Sequence, residues 1–115
     1  MWYAVRGDVK VRLYSEMPRE ELVAEVQRLR GEERKKRQAG FASEANVLEQ
    51  QYYMAKSYLM SLERIAVVAG RPYAVEGIEQ PFIPHYREGV MVWGHFASRS
   101  EEEVALPLSR LLGLE

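Results

Sequence analysis

The sequence predicts an α+β fold, in which an antiparallel helical hairpin is followed by a small antiparallel β-barrel. Apolar or aromatic side chains recur at alternating spacings of four and three from Phe41 to Leu62, which is typical of one face of a helix. A basic helical segment precedes this stretch and ends at Gly40, so the connection is short and the two helices must run antiparallel. After Pro72 the apolar period changes to two, which indicates strands.

The composition is that of a globular protein and excludes several classes of function. With 115 residues the chain forms one domain or two very small ones, and its 47% hydrophobic and 29% charged residues separate it from disordered chains. The net charge of −1 disfavours a generic electrostatic binder of nucleic acids. The absence of cysteine excludes disulfides, thiolate nucleophiles and cysteine metal sites, and it favours a reducing compartment.

No membrane contact is expected from the sequence. The longest apolar run, Ile65 to Ala69, is far shorter than the roughly 18 residues that a membrane span needs. The N-terminal residues lack the basic-then-apolar order of a signal peptide. We therefore predict a cytoplasmic protein.

Residues 1–14 alternate apolar with polar side chains, and Gly7-Asp8 fits a turn between two strands. A two-stranded hairpin has little stability by itself. This segment is therefore expected to be either an extra hairpin or a disordered extension.

The helical hairpin is predicted over residues 15–63, and its first helix begins near Pro18 and ends at Gln38. Proline suits the first helical turn, and acidic residues follow it where the helix dipole favours them. The apolar positions of this helix are Leu22, Val26 and Leu29. The same stripe continues as Glu33 and Lys36, so only the first half of the helix offers an apolar face.

The second helix is predicted from Ser43, as its N-cap, to about Glu63. Its apolar seam consists of Phe41, Ala45, Leu48, Tyr52, Ala55, Leu59 and Leu62. Because Glu33 and Lys36 of the first helix come opposite Leu48 and Ala45, half of the seam lacks an apolar cover. Either the C-terminal part of the chain covers it, or the protein forms a homodimer through the second helix.

Residues 73–112 contain several short segments with strand patterns, which together predict a small barrel. The expected strands are Tyr73–Gly77, Phe82–Tyr86, Val90–Phe96 and Val104–Leu106, and a tight helical turn follows at Pro107–Leu111. Pro81 and Pro84 favour an edge position for the second strand, because proline cannot donate a ladder hydrogen bond. Arg87-Glu88-Gly89 is typical of a hairpin turn.

Three blocks of sequence carry a resemblance to a known family. They are YSEM at Tyr14–Met17, VLEQQYYMAKSYLM at Val47–Met60, and GVMVWGHF at Gly89–Phe96 followed by EVALPLSRLL at Glu103–Leu112. In order and spacing these blocks resemble the YfhH-like proteins, a domain-of-unknown-function family of low-GC Gram-positive bacteria. The resemblance implies a helical hairpin joined to an SH3-like β-barrel, and it transfers no functional residue. Pro18 departs from the threonine cap that the family pattern leads one to expect.

His85 and His95 both fall in strands of the predicted β-hairpin. If Glu88-Gly89 is its two-residue turn, Val92 faces His85 and the two imidazoles lie on opposite faces of the sheet. A shared metal site or an acid–base pair is therefore not expected. Because the chain also lacks a glycine-rich phosphate loop and a nucleophile elbow, we predict no catalytic, cofactor-binding or metal-binding residue and no enzyme activity.

The end of the first helix carries a cluster of cations. They are Arg28, Arg30, Arg34, Lys35, Lys36 and Arg37. Such a surface is either the solvated C-terminal end of a helix, where the dipole favours cations, or a site for nucleic-acid phosphates. No aromatic residue lies among these cations, so base stacking is not expected there.

Tyr86, Met91 and Trp93 share one face of the predicted β-hairpin. This face either packs against the helices or forms an interaction surface. We predict a non-enzymatic binding or adaptor module that recognises a protein partner through these three residues. The alternative is a nucleic-acid-binding transcriptional regulator that uses the basic stretch of the first helix.

Overall fold

The computed structural model describes residues 2–5 and 9–114 of the chain. In order it contains two strands, a 3₁₀ turn, two long helices, four strands and a second 3₁₀ turn. The chain divides into two compact units, residues 1–59 and residues 60–115. Among the described residues, no helix is both long enough and apolar enough to cross a membrane.

The first strands form a small antiparallel hairpin. Strand β1 (Trp2–Val5) pairs with β2 (Val9–Arg12), and the register runs from Trp2 opposite Arg12 to Val5 opposite Val9. The predicted turn at Gly7-Asp8 lies outside the described residues.

Helix α1 (Arg19–Gln38) begins after Pro18, and Gly40 follows its C-cap Ala39, as predicted. Gly40 has a φ of +86°, which a side-chain-bearing residue rarely adopts. The amide of Gly40 donates to the carbonyl of Arg37 (3.2 Å), and the amide of Phe41 donates to that of Lys36 (2.9 Å). This pair of bonds is a Schellman motif, which satisfies the last carbonyls of the helix and reverses the chain.

Helix α2 (Ala42–Leu62) begins one residue earlier than expected. The amide of Ala45 donates to the carbonyl of Phe41 at 3.0 Å, so Phe41 is the capping position and Ser43 lies inside the first turn. The predicted Ser43 N-cap is therefore wrong. The tight turn at Gly40 brings the chain into helical geometry before Ser43 is reached.

The core of the first unit lies between α1 and α2. It is built by Leu29, Tyr52, Tyr53 and Ala55, with Tyr14, Val26 and Leu48 packed against it. Ala45 is fully buried, and among the seam residues of α2 only the two end positions, Phe41 and Leu62, are exposed. The expectation that half of the seam lacks a cover is therefore wrong at Ala45, whereas Leu48 is half-buried.

The second unit is a four-stranded antiparallel sheet in the order β3-β4-β5-β6. Its strands are β3 (Tyr73–Val75), β4 (Ile78–Glu88), β5 (Met91–Phe96) and β6 (Val104–Pro107). Strand β4 is central, so the edge position predicted from Pro81 and Pro84 is wrong. The last pair between β3 and β4 joins Tyr73 to Phe82, so Pro84 lies beyond that ladder and its missing N–H costs no bond to β3.

The core of the second unit decides which face of the sheet is internal. It contains Tyr73, Val75, Phe82, Val92, Leu106, Leu108, Leu111 and Leu114. Phe82 and Val92 are fully buried, and the ring of Phe96 meets that of Phe82 edge-on at 5.4 Å. Alternation along β5 therefore turns Met91 and Trp93 to the opposite face.

The sheet is open, although its two ends approach each other. After β6 a 3₁₀ turn (Leu108–Arg110) leads to a single bridge between Val75 and Leu111. The amide of Leu112 also donates to the carbonyl of Ala74 at 2.9 Å. The α+β class is thus confirmed, whereas the SH3-like barrel is not, because the sheet is not closed.

Candidate interaction surface

The register of β4 and β5 differs from the predicted one and sets the geometry of the site. Glu88 pairs with Met91 and Tyr86 pairs with Trp93, so the turn lies at Gly89-Val90 and not at Glu88-Gly89. Between Pro84 and Tyr86 the register shifts, which places a β-bulge at His85. Beyond the bulge Phe82 faces Phe96, where the predicted register placed His95. The bulge therefore changes which side chains of the two strands meet.

Tyr86 and Trp93 form a stacked aromatic pair on the outer face of the sheet. Their ring centroids lie 6.1 Å apart with an interplanar angle of 10°. Tyr86 is 48% exposed, while Met91 and Trp93 are half-buried. The three residues predicted as an interaction surface thus share one face, and the fully buried Val92 lies on the other.

The surroundings of Tyr86 are acidic. Partial desolvation, and then the carboxylates of Glu103 and Glu88, raise the pKa of the Tyr86 phenol above its usual value. Glu88 lies two residues from Tyr86 along β4 and opposite Met91, so it projects from the same face as the aromatic pair. This face therefore combines exposed aromatic area with negative charge.

The two histidines lie in contact, which corrects the prediction that they occupy opposite faces. Nε2 of His85 lies 2.6 Å from Nδ1 of His95, and Nδ1 of His85 lies 2.8 Å from Oε2 of Glu103. The bulge at His85 is the physical reason, because an extra residue in one strand inverts the facing of its neighbours. The result is a hydrogen-bonded series of three side chains, Glu103, His85 and His95, which we call the histidine network.

The histidine network was not predicted from the sequence, because Glu103 is distant in sequence from both imidazoles. Pro84 was the available signal, since a proline inside a strand favours a neighbouring bulge. In the part of the chain that the structure describes, no group of three or more histidine and carboxylate side chains is arranged to hold a metal ion.

The basic cluster of α1 is largely neutralised by carboxylates. Glu33, which is only 4% exposed, accepts a bond from Nε of Arg37 at 2.5 Å and lies 3.4 Å from Nη1 of Arg30. Both guanidinium groups also reach α2, where each lies 3.9 Å from Oε2 of Glu49. These ion pairs therefore link the second half of α1 to α2 at Glu49, one helical turn after Ala45, in the region where the first helix offers charged rather than apolar side chains.

Only two of the six predicted nucleic-acid-binding cations remain free of carboxylates in the described structure. Two further cations are held by acids: Arg28 by Glu25 at 2.8 Å and Lys36 by Glu44 at 3.7 Å. Arg34 and Lys35 are exposed and have no carboxylate within 4.0 Å among the described residues. The positive surface is therefore smaller than the residue count indicates.

This pairing makes a quantitative prediction for the nucleic-acid alternative. If only Arg34 and Lys35 contact phosphates, raising the salt from roughly 50 to 200 mM should weaken DNA binding about tenfold. Six contacts would instead weaken it roughly a thousandfold. A salt titration by fluorescence anisotropy separates the two, with charge reversal at Arg34 and Lys35 as the test variant and charge reversal at Arg64 as the control. Unchanged DNA affinity in the test variant would contradict a role for this stretch.

The fold and the site together define a small α+β protein, a helical hairpin followed by an open antiparallel sheet that presents an aromatic pair. The chain belongs to the family described as "Protein of unknown function (DUF1811)", whose pattern matches residues 12–112. It is 40% identical over 98 residues to "Uncharacterized protein YfhH" of Bacillus subtilis (strain 168), and the match covers 85% of this chain and 92% of that protein. The resemblance to YfhH-like proteins is thereby confirmed.

Proposed function

We propose that the protein is a non-enzymatic adaptor that binds a protein partner through Tyr86, Met91 and Trp93. The observation that carries this proposal is the stacked pair of Tyr86 and Trp93 on the sheet face opposite the core. Tyrosine, tryptophan and methionine are the residue types that protein interfaces enrich, and the aromatic ones dominate binding hot spots.

The rigid strands that carry this aromatic pair support the same proposal. Tyr86 and Trp93 lie on directly paired positions of β4 and β5, and the fully buried Phe82 and Val92 anchor those strands in the core. Stacked rings on a paired backbone lose little conformational freedom when a partner binds, so more of the contact energy appears as affinity. Met91 adds a flexible apolar side chain that adapts to the partner's shape.

The hydrogen bonding of the histidines supports a non-enzymatic role. In the histidine network, three of the four imidazole nitrogens already have a hydrogen-bond partner among Glu103, His85 and His95. A general base must instead reach a substrate proton at hydrogen-bond distance. We infer that the histidine network holds the segment before β6 against the hairpin formed by β4 and β5.

Replacing Tyr86 with alanine should reduce capture of the protein partner at least tenfold, since truncating an aromatic hot spot typically costs about 2 kcal/mol. The measurement is affinity capture from a Bacillus subtilis lysate at moderate salt after nuclease treatment, with quantitative mass spectrometry. Val68→Ala is the matched control, because Val68 is a similarly exposed apolar side chain of the same unit. Equal capture by the Tyr86 variant would contradict the proposal. Loss of all partners after nuclease would favour the nucleic-acid alternative.

Self-association through α2 is a second, independent proposal. Val47 is 56% exposed and Phe41 is 54% exposed at the N-terminal end of α2, and both are apolar. A Val47→Glu variant should therefore shift the chain toward monomer in sedimentation equilibrium, and Gln50→Glu is a control that adds the same charge to the exposed surface of the same helix. A wild-type chain that stays monomeric from nanomolar to high micromolar concentration would contradict the homodimer.

A further inference from the structure

Within the described part of the chain, several aromatic rings have a side-chain cation over them, whereas Tyr86 and Trp93 do not. In the first unit, the guanidinium of Arg30 lies 4.3 Å from the ring centroid of Tyr52, and Nζ of Lys36 lies 5.3 Å from the ring centroid of Phe41. In the second unit Arg71 lies 5.6 Å from the ring centroid of Tyr73. Among the described residues no cation of the chain covers Tyr86 or Trp93 in this way.

The nearest arginine in sequence is committed to other partners. Nε of Arg87 donates to the carbonyl of Gly89 at 2.8 Å, and its Nη1 donates to the carbonyl of Ile65 at 2.5 Å. Arg87 pairs with the buried Val92, whose side chain lies on the opposite face from Tyr86 and Trp93. The side chain of Arg87 is therefore held by these backbone acceptors and does not neutralise the negative charge around the aromatic pair.

The acidic groups beside the pair favour a cation as the missing contact. Glu88 is exposed and projects from the same face as Tyr86, and Glu103 reaches the adjacent His85 at 2.8 Å. A cation above a tryptophan or tyrosine face is attracted by the ring quadrupole, and neighbouring carboxylates add to that attraction. The same carboxylates repel phosphate groups, which disfavours a nucleic acid at this face.

We infer that the partner inserts an arginine or lysine side chain against Tyr86 and Trp93, within a basic protein segment whose charge Glu88 and Glu103 complement. This inference rests on the proposed adaptor function and specifies the chemistry of its partner. A protein segment fits better than a free ammonium compound, because one exposed cation–π contact contributes only about 0.5–1 kcal/mol. Contacts with Met91 and further side chains of a segment must supply the remainder.

The probe is a capped peptide in which arginine alternates with serine, titrated into the full ¹⁵N-labelled chain. The reported signal is the indole N–H of Trp93 in a Trp2→Phe background, so that a single tryptophan is observed. The matched peptide carries citrulline, which keeps the planar side chain and removes its charge. The expected result is at least tenfold tighter binding of the arginine peptide. Equal affinities, or no shift of the indole signal up to millimolar peptide, would overturn the inference.

Variants locate the contact and separate it from general charge attraction. Tyr86→Ala should weaken the arginine peptide about two- to fivefold, whereas Tyr86→Phe keeps the ring and should retain binding. Glu88→Gln should weaken it about threefold, and Glu101→Gln should not, although both variants remove one exposed negative charge. Equal weakening by the two glutamine variants would overturn a specific site. If the arginine peptide does not bind while lysate capture still depends on Tyr86, the inference of a basic segment is wrong and the proposed adaptor function is retained.

Discussion

Gly94→Ala is expected to destabilise the sheet unit by about 3 kcal/mol or more, because the β5 backbone at this point touches its neighbours. A Cβ atom at Gly94 would clash with the carbonyl oxygen of Ile83 and would lie 2.8 Å from Cα of Pro84. Both atoms belong to the backbone of β4, which cannot move away without breaking the β4–β5 pairing. Cζ of the fully buried Phe82 lies at 2.8 Å as well, so the core offers no space.

The measurement is urea unfolding followed by the fluorescence of Trp93, in a Trp2→Phe background. Gly31→Ala is the matched control, since a Cβ at Gly31 in α1 would meet no atom within 4 Å. That change should stabilise the helix by up to about 1 kcal/mol, because alanine has the higher helix propensity. A Gly94→Ala chain within about 0.5 kcal/mol of wild type would show that β4 and β5 do not pack as closely as described.

Glu33→Ala is the second large effect, with an expected loss of about 2 to 3 kcal/mol from the helical unit. The carboxylate is almost fully buried and holds Arg37 at 2.5 Å and Arg30 at 3.4 Å. Removing one member of a buried charge network leaves the others without their partner, which typically costs about 3–5 kcal/mol. We place the value below that range because the side chain of Arg37 is 44% exposed and can regain water.

Helical circular dichroism during urea unfolding measures this loss. Lys35→Ala is the control on the same helix, because Lys35 is exposed and should change stability by less than about 0.5 kcal/mol. Replacing Arg30, Glu33 and Arg37 together with apolar residues of similar size should cost less than Glu33→Ala, because the one carboxylate left without these partners, Glu49, is 38% exposed and can regain water. A Glu33→Ala variant as stable as the Lys35 control would mean that the network contributes nothing to the hairpin.

The helices were predictable because their signals act over a few neighbouring residues. The predicted ends of α1 and α2 lie within one residue of the structure, at Arg19–Gln38 and Ala42–Leu62. Gly40 ends α1 through bonds that span only three to five residues. The error in the N-cap of α2 is equally local, since the observed cap, Phe41, lies only two residues before the predicted cap, Ser43.

The membership of the candidate site was also largely predictable. Met91 and Trp93 share a face for any register of β5, because side chains alternate with a period of two. The predicted register put Tyr86 opposite Met91, and the structure puts it opposite Trp93. Both registers leave Tyr86 on the same face as Met91 and Trp93, so the error in the predicted turn did not change which residues share that face.

Local sequence patterns were sufficient to predict the α+β class, the helix ends to within one residue, and the face of β5 that carries Met91 and Trp93. The contacts of His85 with His95 and Glu103 depend on the folded sheet, because one bulged residue inverts the facing of a strand. The pairing of Glu33 with Arg30 and Arg37 likewise depends on the folded chain. Long charged side chains reach several partners, and their choice depends on which groups the folded chain brings near and shields from water.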